Sequence, residues 1–270
     1  MPVSKKRKKK TRKSSGPANR ASHRAISSFD DLTDLSIESL TKVAANDLDT
    51  IGLANWYTAF TPARQLNQCV TSCVTLQLAM RFLGRQSEIV PAVLEIPWAD
   101  QRWGTPDPQN LPGDTTDGHV VLITNNNILL DPTAAQFNAL AQVRNGLPII
   151  GRDPKLWSHL GDPAGLDQNM ERVVEATIML HGGKAISYML YHPYRAAEVT
   201  NRFIERNRES ASTGLESHLT QLVQTFVWIV ANVLLVGSRA HEIDQLENAN
   251  FARHVRAAAG QPQPEILTSN

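Results

Sequence analysis

The stretch Gly118-His119-Val120-Val121-Leu122-Ile123-Thr124-Asn125-Asn126-Asn127-Ile128-Leu129-Leu130-Asp131-Pro132-Thr133 decides how this chain folds. Two apolar runs, 118–124 and 128–131, flank three consecutive asparagines. β-Branched and aliphatic runs of this length favour strands. Asparagine tolerates the positive φ that a tight hairpin turn requires. The segment is therefore predicted to be a β-hairpin, with His119 opening the first strand and Asp131 closing the second. Folding about the asparagines brings those two ends side by side. A carboxylate placed there can accept a hydrogen bond from the imidazole and fix its tautomer, which leaves the other ring nitrogen for a third group.

Cys69 is the candidate for that third group. The segment 69–84 runs without Gly or Pro until Gly84, a helix-stop residue, so a helix is predicted with Cys69 at its start. A helix N-terminus carries partial positive charge and unpaired N–H groups. Both favour a thiolate, the nucleophilic form of cysteine, and the N–H groups can also hold a developing oxyanion. Cys73 is the rival nucleophile. It lies one turn into the helix, where backbone N–H groups are already bonded, so Cys69 is preferred. Gln65 and Gln68 are candidate oxyanion donors. A free cysteine alone is commonly a small buried hydrophobe; what points to chemistry is the combination with His119 and Asp131. Cys69, Cys73 and His119 together offer three metal ligands. Structural zinc takes four and no fourth is evident, so neither a metal nor another cofactor is expected.

These residues and the phrases around them resemble the transglutaminase-like family within the papain-like cysteine protease superfamily. The family pattern is a cysteine opening a helix that closes on an Arg-x-Leu-Gly-like phrase, then a strand beginning with histidine, then a strand ending Asp-Pro-Thr. Here these are Cys69, Arg81-Phe82-Leu83-Gly84, His119 and Asp131-Pro132-Thr133. The extended phrase Asp131-Pro132-Thr133-Ala134-Ala135-Gln136-Phe137 is also similar to uncharacterised bacterial papain-like proteins. The likeness covers roughly residues 65 to 137, about a quarter of the chain. The sequence departs from the family pattern where Asn67-Gln68 precede the cysteine in place of glycine, and where Val121 stands two positions after the histidine in place of an aromatic. The resemblance implies a Cys69–His119–Asp131 triad and a peptide, amide or ester substrate.

Working outward, Val173–Leu180 and Ala185–Tyr191 flank Gly182-Gly183, a second predicted hairpin. Val90–Ile96 is a predicted strand despite Pro91. Residues 97–117 form a long loop rich in Pro, Gly and Asp, in which Trp98 and Trp103 either line a substrate groove or pin the loop to the body. Residues 31–46, 195–209 and 215–248 are predicted helices, and 51–60 is a further apolar segment. The apolar run 219–237 is interrupted by Gln221, Gln224 and Asn232, so a buried or interface helix is expected there and not a membrane span. The fold class is α+β: a papain-like or transglutaminase-like core with a central helix packed on a small antiparallel sheet and with N- and C-terminal helices. The expected divisions are a disordered basic tail over 1–28, a core over 29–195, C-terminal helices over 196–258 and a loose tail over 259–270.

Charge is distributed unevenly. The chain has 270 residues and a formal net charge of +1, yet residues 1–24 hold ten of the 27 Lys and Arg and none of the 26 Asp and Glu. The remainder is thus an acidic body of 17 basic and 26 acidic residues. The tail, above all residues 5–13, is suited to non-specific contact with nucleic acid or another anionic partner through charge alone. With two cysteines and no apolar stretch after the basic run, neither a disulfide framework nor a signal peptide is expected. The expected compartment is the cytoplasm, with nuclear import applying only to a eukaryotic source. Two functions fit: a cysteine-dependent acyl-transfer enzyme (peptidase, amidase or transglutaminase-like), or a catalytically inactive papain-like fold that binds partners.

Overall fold

The computed structural model of the chain describes residues 37–60, 68–104, 119–140, 147–160, 172–180, 182–191, 218–236 and 238–264. The basic tail, the expected helix 195–209 and Gln65 lie outside these residues. The fold combines helices with one antiparallel sheet that is nearly closed. Its strands are β1 (Ser87–Ile96), β2 (Gln101–Trp103), β3 (His119–Thr124), β4 (Ile128–Asp131), β5 (Ile149–Arg152), β6 (Arg172–Met179) and β7 (Ala185–Tyr191). The order across the sheet is β5-β4-β3-β1-β7-β6, with β2 paired to the end of β1.

Both expected hairpins are present. In the first, Leu122 faces Leu130 and Ile123 faces Leu129, and Asn127 takes the left-handed conformation at φ 61. In the second, Gly182 and Gly183 both have positive φ, which a side chain would oppose. Pro91 is accommodated in β1 because pairing with β7 begins only at Ala92, so on that side the ladder needs no N–H from residue 91.

The sheet is larger than the small one expected. β2 is a three-residue strand inside the predicted loop, and β5 is a four-residue strand after Pro148. Neither is long enough to display a period of two. The helix expected over 31–46 is described only from residue 37 and ends by residue 41, and a 3-10 turn follows at Ala45–Asp47. The helix expected over 215–248 is helical over His218–Leu235, whose last turns, Val230–Leu235, are π-helical. A separate helix, Ala249–Ala258, follows.

The curl of the sheet brings its edges together. A Cβ on Gly151 of β5 would lie 2.6 Å from Ile178 Cδ1 of β6, so the two edges approach closely there and a larger residue would require the Ile178 side chain to shift. Alternation then divides the core. Val121, Ile123, Leu129, Val90, Leu94 and Tyr188 fill the inner face. Val120, Leu122, Leu130 and Ile89 pack outward against Cys73, Leu76 and Met80 of the central helix Cys69–Phe82. Both faces are covered, so every residue of β3 is buried. That is why its middle, Val120–Ile123, is apolar without interruption.

The central helix stops where expected, and the stop also serves as a docking point. Gly84 has φ +88; its N–H donates to Arg81 O at 3.0 Å and that of Arg85 to Met80 O at 2.8 Å. This is a Schellman closure. Beyond it, Arg85 donates to both carboxylate oxygens of the buried Asp49, at 3.0 and 3.1 Å. Asn248 donates to the same carboxylate at 2.6 Å while its own oxygen caps Ala249–Ala258 by accepting from Phe251 N. One buried carboxylate thus ties together the N-terminal segment, the central helix and the terminal helix.

Candidate active site

The N-terminus of the central helix meets the start of β3. Cys73 Sγ donates to Val120 O at 3.6 Å, which sets the helix in register with the strand. One turn earlier on the helix, and one residue earlier on the strand, Cys69 hydrogen-bonds the ring of His119. His119 Nε2 donates to Asp131 Oδ2 at 2.8 Å. Each ring nitrogen makes one in-plane bond, so Nδ1 is the nitrogen left for sulfur. The hairpin thus brings His119 and Asp131 together from 12 positions apart, and the helix supplies the sulfur. All three are buried, with Cys69 at 7%, His119 at 4% and Asp131 at 0% exposure.

Asp131 is saturated with donors. Oδ2 also accepts from Tyr188 Oη at 2.8 Å. Oδ1 accepts from Thr133 N at 3.0 Å and from Thr133 Oγ1 at 3.1 Å. Burial works to raise the pKa of this carboxyl, but the neighbouring His119 charge and the hydrogen bonds from His119, Tyr188 and Thr133 outweigh it and hold the pKa below the usual carboxylate value. Burial likewise works against a charged His119. Here the Asp131 charge and hydrogen bond, joined by those of Cys69, prevail and push the imidazole up to about 10. Over neutral pH the ring is an imidazolium between a carboxylate and a sulfur.

Cys73 has the opposite character. Burial raises its thiol well above the ordinary value, and the charges of Cys69 and Asp131 raise it further. It keeps its proton and uses it on Val120 O. Among the described residues no three His, Cys, Asp or Glu side chains are gathered as for a metal ion.

The remaining candidates sit as follows. Gln68 occupies the N-cap of the central helix, half-buried, and its side chain makes no capping bond. Its carbonyl accepts from Ser72 N at 2.9 Å, so the helical ladder starts immediately after it. Trp103 is 45% exposed and its ring lies 5.1 Å from that of Phe137. Phe137 in turn meets the His119 ring edge-on at 5.4 Å. An aromatic path therefore runs from the surface to the imidazole. Trp98 instead lies under Lys184 Nζ, 5.1 Å from the ring centre, and pins its segment to the second hairpin.

Sequence reasoning did not single out Thr133, Phe137 or Tyr188 as site residues. Thr133 and Phe137 stand in the extended phrase Asp131–Phe137, and an Asp followed two residues later by a backbone donor is a turn signal. Tyr188 lies 57 positions from Asp131. The alternation Ile186-Tyr188-Leu190 marks its inward direction, but nothing local marks its partner. A cleft of about 530 Å³ lies at the far end of the central helix, lined by residues that include Arg81, Ser87 and Trp157, remote from Cys69. Compared with known proteins, the chain matches no family model, no curated protein and no solved structure.

Proposed function

We propose that the chain is a cysteine-dependent acyl-transfer enzyme of papain-like or transglutaminase-like type, acting on a peptide, amide or ester carbonyl. The observation that carries this reading is the continuous hydrogen-bonded line from Cys69 through His119 to Asp131. Three residue types that serve nucleophilic catalysis stand in the order that catalysis needs. The Cys69 sulfur attacks the carbonyl carbon and forms the C–S bond. His119 holds the proton that the Cys69 thiol gives up and delivers it to the leaving amine or alcohol as the C–N or C–O bond breaks. Water or an amine then attacks the thioester, gives its proton to His119 and releases Cys69. Backbone N–H groups in the first turn of the helix, with Gln68 beside them, are suited to the oxyanion. Trp103 and Phe137 form an apolar wall for the acyl side of the substrate.

One observation favours a second reading. Cys69 is only 7% exposed, as in a filled site. On that reading the chain is an inactive relative that binds partners, with residues 5–13 contacting nucleic acid or another polyanion by charge. Trapping distinguishes the two. Incubation with a panel of activated esters and peptide vinyl sulfones, followed by peptide mass mapping, is expected to place the adduct on Cys69. Cys69→Ala is expected to abolish it and Cys73→Ala to retain it. Absence of any adduct on folded wild type across the panel would support the binding reading.

A further inference from the structure

We infer that Tyr188 is a positioning residue of this site, whose hydroxyl fixes the Asp131 oxygen that receives the His119 Nε2 proton. The inference rests on the acyl-transfer reading for its consequence and on geometry for its substance. Oδ2 of Asp131 accepts two bonds of 2.8 Å, one from His119 and one from Tyr188. Thr133 occupies the other oxygen. Two donors on one oxygen and two on the other leave the carboxylate a single orientation. Without the phenol, Oδ2 is free to swing with the imidazole, and the ring is no longer aimed at sulfur by a fixed partner.

Tyr188 is itself immobile. It is fully buried, paired with Leu94 of β1 on one side and with Ala176 of β6 on the other. Its ring stacks against that of His119 at 6.4 Å and 26°. The bond also depends on the whole fold. β7 and β4 are three places apart in the strand order, which on a flat sheet is roughly 14 Å at about 4.8 Å per strand. A tyrosyl side chain spans that gap only because the sheet curls toward closure. Sheet closure and the aim of the imidazole are thereby coupled through one hydroxyl.

The titratable groups facing His119 are Asp131 from β4, Tyr188 from β7 and Cys69 from the central helix, with Cys73 behind Cys69. The test uses the full chain. Tyr188→Phe keeps the ring and removes the donor. Two quantities are measured: the iodoacetamide rate at Cys69 near neutral pH, and the titration of the Asp131 carboxyl carbon by NMR. The rate is expected to fall roughly tenfold, as for loss of an orienting partner. The carboxyl titration is expected to move to higher pH, because a bond to the charged form is lost. If the variant does not fold, 3-fluorotyrosine at position 188, a stronger donor of nearly equal size, is expected to move the titration to lower pH. A titration and a rate that both stay at wild-type values would overturn the inference. If the titration moves but wild-type Cys69 reacts no faster than Cys73, the tyrosine still positions Asp131 and the acyl-transfer reading is what fails.

Discussion

His119 holds its proton because of what surrounds it, and this has a consequence for stability. Its pKa rises from 6.5 to about 10 on folding, as the Asp131 carboxylate and the Cys69 sulfur outweigh burial. A group raised in this way stabilises the fold fully below its unfolded pKa and loses that contribution as pH rises through the folded one. The contribution is thus intact below 6.5 and declines as pH climbs toward and past 10. Asp131, whose pKa is depressed, contributes above its ordinary value of 3.8, and this is lost as pH falls through the lower folded value. Wild type is expected to lose melting temperature between about pH 7 and pH 11 more steeply than His119→Gln. Parallel curves for the two proteins would show that the ring is not held as a cation. At this scale the sequence was informative where partners are local or motif-bound: Cys69, His119 and Asp131 each have a recognisable place at a helix or strand end. Tyr188 was not legible, since its partner is reached only by closing the sheet.

The central helix illustrates what one element contributes to the site. Its first turn presents Cys69, its second fixes register through Cys73 and Val120, and its last is closed by Gly84. Gln77 Nε2 donates to Ser87 O at 2.8 Å and fastens the helix to the start of β1. Arg85, immediately after the closure, lies against Asp49 with side-chain exposures of only 12% and 2%. Removing one partner of a buried ion pair strands the other, and this costs about 3–5 kcal/mol. Asp49→Ala is expected to lower the free energy of unfolding by about that amount in a urea titration. A loss below about 1 kcal/mol, the range of surface pairs, would mean that the pair does not hold the helix. Gly84 was readable as a stop because glycine takes positive φ freely. The role of Asp49 was not, because its partners Arg85 and Asn248 are 36 and 199 positions away. Length alone did not decide which strands were legible: β4 and β5 have four residues each, but β4 is marked by the asparagine turn before it, whereas β2 and β5 exist through pairing with their neighbours.

Across the whole molecule, the helix His218–Leu235 is the element with two readings. It is long and apolar enough by length and composition to cross a membrane, and 56% of it is buried inside the fold. Leu222, Phe226, Ile229 and Val230 share one core with Trp56, Leu76 and Met80. Phe226 stacks on Phe251 at 6.0 Å. Asn232 bridges to Ala258 O at 2.9 Å and accepts from Gly260 N at 2.7 Å, tying the helix to the end of the terminal helix. Phe226→Ala is therefore expected to cost roughly 3–5 kcal/mol of stability without detergent or lipid, as for an aromatic in a packed core. A change below about 1 kcal/mol would show that this face is not part of a water-soluble core. The interruptions by Gln221, Gln224 and Asn232 were visible in the sequence; which face they occupied was not.

The most direct measurement is the rate of alkylation of each cysteine by iodoacetamide at pH 6, read by mass mapping on folded wild type, His119→Gln and Asp131→Asn. An ordinary thiol is almost wholly protonated there. Cys69 beside a cationic His119 is expected to react at least about 10-fold faster than Cys73. The advantage is expected to disappear in His119→Gln and to fall sharply in Asp131→Asn. Equal and slow labelling of Cys69 and Cys73 in wild type, unchanged in both variants, would contradict a thiol active site at Cys69, His119 and Asp131.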